Sequence, residues 1–179
     1  MHRPMLAVAA ALLLAGCGGS AKVAPTQPAT EAAVAEPTAA RTEATSSAVA
    51  DYVLWTGDVV GRAREALGAA SAAMRPAGAD PSLLDDSEWL KSTGRELGKM
   101  VIVAREIEAY TDVPDEAKAM HAEMLTYGAH LSTAAKLLAG GLDDKDMDKV
   151  KAASVIMSED MPATLERLSA ERDKILPQK

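Results

Sequence analysis

Residues 114–139 read PDEAKAMHAEMLTYGAHLSTAAKLLA, and in them Ala117, Met120, Met124, Gly128, Leu131, Ala135 and Leu138 follow one another at steps of three or four. A helix of 3.6 residues per turn brings such positions onto one face, so the spacing predicts a helix with a single buried stripe. A half-buried strand would alternate every second residue, and that alternation is missing here and in the rest of the chain. Three other stretches repeat the pattern. From Val49 to Met74 the stripe is Val49, Tyr52, Thr56, Val59, Ala63, Leu67 and Ala70. From Ser87 to Tyr110 it is Leu90, Thr93, Leu97, Met100, Ala104 and Ile107. From Asp144 to Leu176 it is Met147, Val150, Ser154, Met157, Met161, Leu165 and Leu168.

The punctuation between the stripes supplies the helix ends. Arg75-Pro76-Ala77-Gly78 separates the first from the second, and Asp85 stands three residues before Glu88 in the manner of a capping box. Asp112 precedes Pro114 where the third begins. Gly140-Gly141 is expected to stop the third helix, with Asp143 capping the fourth. Pro162 is expected to kink the fourth helix or split it at Asp160. Helices of about 25 residues are about 37 Å long. Joined by mostly short loops, they predict an all-α, antiparallel up-down-up-down four-helix bundle over residues 48–179.

Ahead of this domain the chain changes character twice. Arg3 and the apolar run Leu6 to Leu14 have the layout of an export signal, and the run is too short to span a bilayer. The run ends in Leu14-Ala15-Gly16-Cys17, and Cys17 is the single cysteine of the chain. This pattern resembles a bacterial lipobox, which implies removal of the preceding residues, lipidation of Cys17 and a membrane anchor outside the cytoplasm. Each buried methylene contributes about 0.8 kcal/mol, so two or more acyl chains hold a protein where one would not. Gly18 rather than Asp follows the cysteine. That favours the outer membrane in a two-membrane bacterium, and otherwise the outer face of the cell membrane. Residues 18–47 are rich in Ala, Thr, Pro, Glu and Ser and offer no apolar stripe, so they are expected to form a disordered tether. Such a tether would span about 30 Å as a coil and about 100 Å when extended.

Scattered residues across 50–175 carry a resemblance: Asp51-Tyr52-Val53, Glu88-Trp89, Pro114 with His121, and Gly141-Leu142-Asp143. In these the chain is similar to a family of bacterial lipoproteins with a small four-helix domain of unknown function. It departs from them at Asp160-Met161-Pro162, where an uninterrupted helix is expected. The resemblance implies fold and location and brings no site residues.

Chemistry is sparse. His121 and His130 lie about 180° apart on one helix and cannot share a ligand. No Glu-x-x-His pair, Cys-x-x-Cys-His, Gly-x-Ser-x-Gly or phosphate loop occurs. Asp144, Asp146 and Asp148 alternate as in a calcium loop. Lys149 and Val155 then stand where Gly and Glu are required, so capping of a helix N-terminus is the better account. Five methionines, Met100, Met120, Met124, Met157 and Met161, are expected at one level of the bundle near His121. They act there either as a soft-metal site, for Cu(I), or as flexible filler of an alanine-rich core. Glu123, Tyr127 and His130 make an ordinary polar face. Trp55 and Trp89 are expected at opposite ends, the latter against Ala73 and Ala135.

The net charge is −7, with no basic stripe and no phenylalanine, which disfavours nucleic acid. No nucleophile–base pair can be nominated and no cofactor is implied, so a non-enzymatic binding or interaction module is expected. The alternative is a carrier of a soft metal or a small apolar ligand in the methionine-rich core. Ile102, Val103 and Leu137 fall off the main stripes and are the candidates for a face that meets a protein partner or another copy of the chain.

Overall fold

The computed structural model describes residues 37–176, with side chains from residue 47 onward. Within this range every regular element is helical and there is no strand. Three of four long helices are α1 (Pro37–Ala79), α2 (Ser87–Ala109) and α3 (Lys118–Asp144). The fourth is composed of α4 (Met147–Val155), a π-helical turn (Ile156–Asp160) and α5 (Met161–Ile175). Short 3₁₀ segments, Pro81–Asp85 and Asp115–Ala117, lead into α2 and α3. The export signal, Cys17 and residues 18–36 of the expected tether lie outside the described residues.

The helix ends differ from expectation in instructive ways. α1 starts at Pro37, inside the stretch assigned to a tether, rather than near Val49. Ala39, Ala40 and Ala44 favour helix, and proline suits a first helical position, but without large apolar residues that stretch has no stripe to read. At its other end α1 runs through Pro76 to Ala79, and the break expected at Arg75–Gly78 comes at Asp80. The N-cap of α2 is Asp86, not Asp85. Its carboxylate accepts from Glu88 N at 2.8 Å and Trp89 N at 3.1 Å, while Asp85 pairs with Lys145.

Gly140-Gly141 does not stop α3. The helix continues to Asp144, and the stop is made by Lys145 in the left-handed region (φ 56°, ψ 33°). Asp146 N–H then reaches back to Gly141 O at 2.8 Å, closing a Schellman-type end. The fourth helix is capped by Asp146 rather than Asp143, its carboxylate accepting from Asp148 N and Lys149 N. Gly141 has a different role. A Cβ there would lie 2.8 Å from Val150 Cγ2 and 3.0 Å from Asp146 O, so only glycine lets α4 turn back this closely on α3.

Of the two outcomes expected at Pro162, a kink or a split at Asp160, the split does not occur: the helix changes to a π-helical turn over Ile156–Asp160 and continues as α5. Proline supplies no N–H, and the turn before it widens so that Met161 N–H bonds to Ile156 O, five residues back. The Thr164 hydroxyl donates to Asp160 O at 2.8 Å. The buried stripe differs from the expected one on both sides of this turn. Ala153 and Thr164 are buried, whereas Met147 (54 % exposed) and Ser154, expected inside, face solvent.

α3 is the hub, packed against α2, α4 and α5, while α1 packs on α2. Tyr52, Val59, Met100, Ile107, Met124, Leu131 and Leu138 are completely buried. Ala63, Ala66, Ala70, Ala134, Ala135 and Ala153 keep the contacts thin enough for helices to approach. Small residues leave irregular gaps, which unbranched methionine can fill. The stripes read for α2 and α3 are the ones buried, apart from the half-buried Leu90. Trp89 Nε1–H donates to Ala73 O at 3.2 Å, one of the two neighbours expected for it.

Candidate functional site

A groove of about 290 Å³ runs between α1 and α5. On α1, residues 53, 56, 57, 60 and 64 repeat at helical spacing and form one wall; Leu165, Leu168, Ser169 and Arg172 of α5 form the other. Met120 of α3 lies at the base. Thr56, Val60, Met120 and Leu168 are buried, so the groove cuts into the core. The Thr56 hydroxyl is already satisfied by Tyr52 O at 2.9 Å, which leaves the floor apolar. Gly57 opens the wall: a Cβ at this position would meet nothing within 4 Å.

The charged residues lining the groove are both arginines. Arg172 hydrogen-bonds Asp173 at 2.9 Å and Ser169 at 3.1 Å. Arg64 has no hydrogen bond or ion pair among the described residues. Its positive charge opposes the upward push that burial gives the Tyr127 phenol.

Next to the groove, α1, the start of α3 and the end of α2 bring four rings together. Trp55 stacks on Tyr110 with centroids 3.9 Å apart, and Tyr52 stands 5.4 Å from Trp55 and 5.6 Å from Tyr110. The Tyr52 hydroxyl lies 2.9 Å from His121 Nδ1. Burial pushes the Tyr52 phenol up to about 12 and pushes the His121 imidazole down. Both groups are therefore neutral at pH 7, and the phenol and Nδ1 share one hydrogen bond between uncharged partners. Stacked rings leave no slot between Trp55 and Tyr110, so this cluster closes one end of the fold as packing.

The residues singled out in the sequence fall into separate places. Met100, Met120, Met124 and Met161 share one buried cluster and Met157 packs against it, but only Met120 reaches the groove. His121 is committed through Nδ1 to Tyr52 rather than turned to the methionines. Among the described residues no three His, Cys, Asp or Glu side chains gather as a metal site. Asp144 pairs with Lys149, and Asp146 serves as a helix cap.

Of the three candidates for an outward face, Ile102 is 66 % exposed. Val103 is buried at 6 % and Leu137 packs against the core, so neither presents an outward face. α2 leans on α1 and α3 at once, which buries a wider arc than one stripe. Ile102 instead edges a second groove of about 320 Å³ between α1 and α2, where Arg62 pairs with Glu106 and Lys99 with Glu96. A third depression of about 590 Å³ between α2 and α3 mixes Arg105, Glu108 and Lys136.

The sequence reading missed the α1–α5 groove, because its two walls lie on helices far apart in the chain and Gly57 is one of several helical glycines without a packing contact, with Gly61, Gly68, Gly94 and Gly98. No family model, curated protein or solved structure matches this chain.

Proposed function

We propose that this protein is a lipid-anchored, extracytoplasmic binding module without catalytic activity, belonging with the four-helix lipoproteins it resembles. The observation that carries the reading is the groove between α1 and α5, an apolar-floored cleft cut into the core and lined, among the described residues, by two cations and no acid. Small-molecule sites have this mixture of apolar lining and a few placed polar groups, often between helices of a bundle. The Leu14-Ala15-Gly16-Cys17 pattern supports the anchor, with residues 18–36 as tether between the lipid and α1.

The up-down-up-down arrangement is supported by the pairs along α1 and α2. Trp55 meets Tyr110, Arg62 meets Glu106, and Ala73 meets Trp89, so numbers rise on one helix as they fall on the other. Along α3 and the fourth helix, Glu123 with Arg167 and Gly141 with Val150 follow the same rule. The exposed Ile102 beside the α1–α2 groove is the place where another protein or a second copy would dock.

Two experiments test the reading. Replacing Cys17 by serine is expected to move the protein from the membrane fraction to the soluble exported fraction, and retention in the membrane would refute the anchor. Native mass spectrometry of the detergent-extracted protein is expected to show a retained small molecule that disappears in a Gly57→Leu variant. A spectrum identical for the two proteins would remove the groove as a binding site.

A further inference from the structure

We propose that the α1–α5 groove binds a single-chain amphiphile with a carboxylate head, a free medium-chain fatty acid, with the head on Arg64 and the chain over Val60, Leu168, Val53 and Met120. This rests on the reading of the domain as a binding module and names the ligand class.

The first argument is charge. Acidic residues outnumber basic ones in the chain by 26 to 19, yet among the described residues no Asp or Glu lines this groove and both of its charged side chains are guanidinium groups. The other two grooves mix the signs, with Glu65 or Glu108 beside their cations. A guanidinium offers a planar fork of donors that matches a carboxylate.

The second argument assigns the head to one end. Arg64 and Arg172 are the last groove residues of their helices, so antiparallel α1 and α5 carry one guanidinium at each end. Arg172 already donates to Asp173 and Ser169, whereas Arg64 has its donors unengaged among the described residues. The head therefore belongs at Arg64. The third argument is shape. From Arg64 the wall descends through Val60 to Gly57 and Val53, opposite Leu165 and Leu168, with no unsatisfied polar side chain along it. A volume of about 290 Å³ lies at the lower edge of small-molecule sites, which suits one short chain and excludes a two-chain phospholipid.

The test is calorimetric titration of the full chain carrying Cys17→Ser with decanoate, 1-decanol and decyltrimethylammonium, all below micelle-forming concentrations. Decanoate is expected to bind at one site, with decanol and the ammonium at least roughly ten-fold weaker, because only the carboxylate gains a charge-assisted hydrogen bond. Arg64→Gln is expected to bring decanoate down to the affinity of decanol. Gly57→Leu is expected to abolish the site while leaving the urea midpoint no lower than that of the parent, since its Cβ enters open space. Equal affinity for decanoate and decanol, or unchanged binding by either variant, would overturn the assignment. Absence of decanoate binding would overturn it too. In that case a Gly57-sensitive retained mass would leave the module reading standing with another ligand, and its absence would remove both.

Discussion

Adding one methyl group to each of two neighbouring glycines is expected to change stability in opposite directions. Alanine is better than glycine by about 0.8–1.0 kcal/mol in a helix interior, and both Gly140 and Gly141 lie within α3. At Gly140 a new Cβ would find its nearest neighbours in the Lys149 side chain at 3.8 and 3.9 Å, ordinary contact with a flexible group. Gly140→Ala should therefore realise most of the propensity gain, about 0.5–1 kcal/mol. At Gly141 the Cβ would lie 2.8 Å from Val150 Cγ2, 3.0 Å from Asp146 O and 3.2 Å from Lys149 Cβ. None of these can swing aside as the end of a long side chain can, and the Asp146 carbonyl also belongs to the first turn of α4, where it accepts from Val150 N. Overpacking costs about 1–3 kcal/mol, which exceeds the propensity gain and leaves Gly141→Ala destabilised by about 1–2 kcal/mol. The two variants should thus differ by about 1.5–3 kcal/mol, on the order of 5–10 °C in Tm for a domain of this size. Urea unfolding followed by circular dichroism at 222 nm measures the difference directly. If both alanines stabilise alike, α4 does not approach α3 at Gly141, and the explanation of that glycine fails.

Three further outcomes follow from buried polar groups and from the helix faces. Thr93 is 1 % exposed and its hydroxyl has no hydrogen-bond partner among the described residues, so Thr93→Val should raise stability by about 1 kcal/mol in the same urea assay; destabilisation would mean the hydroxyl is satisfied. Ile102→Glu should change stability by less than about 0.5 kcal/mol, while Val103→Glu should cost at least about 2 kcal/mol, because only the second carboxylate is forced into the core. Equal effects at the two positions would place the α2 boundary elsewhere. The His121 imidazole is lowered by burial below its ordinary value of 6.5, so the unfolded chain takes up its proton first. Its contribution to stability is then complete above about pH 6.5 and is lost as the pH falls through the lowered folded value. His121→Gln should remove that component, and the stability difference between variant and parent should shrink over this window; a constant difference across it would refute the burial of a neutral imidazole.

Legibility tracked the range of the interactions. The α2 and α3 stripes were readable because they depend only on helical period, and their expected positions are buried, with Leu90 partly so. In the fourth helix the expected stripe placed Met147 and Ser154 inside and missed Ala153 and Thr164. Between Val150 and Met157 a helical period admits Ala153 as readily as Ser154, and only packing against the neighbouring helix selects one of them. Pro162 was visible as a disturbance, but whether it splits a helix or is absorbed depends on Met161 N–H finding Ile156 O. Asp85 and Asp86 are adjacent and chemically alike, and only backbone conformation selects Asp86 as the cap.

The amino-acid sequence by itself determined that the described residues are helical and which faces of α2 and α3 turn inward. Each of these rests on residues within a few positions of one another. Tertiary structure decided the rest. Tyr52 and His121 meet across 69 positions, Gly141 is small because Val150 comes against it, and α1 and α5 border a groove that neither helix makes alone. A period along one helix says which way a side chain points. What it points at depends on how the other helices come to rest against it.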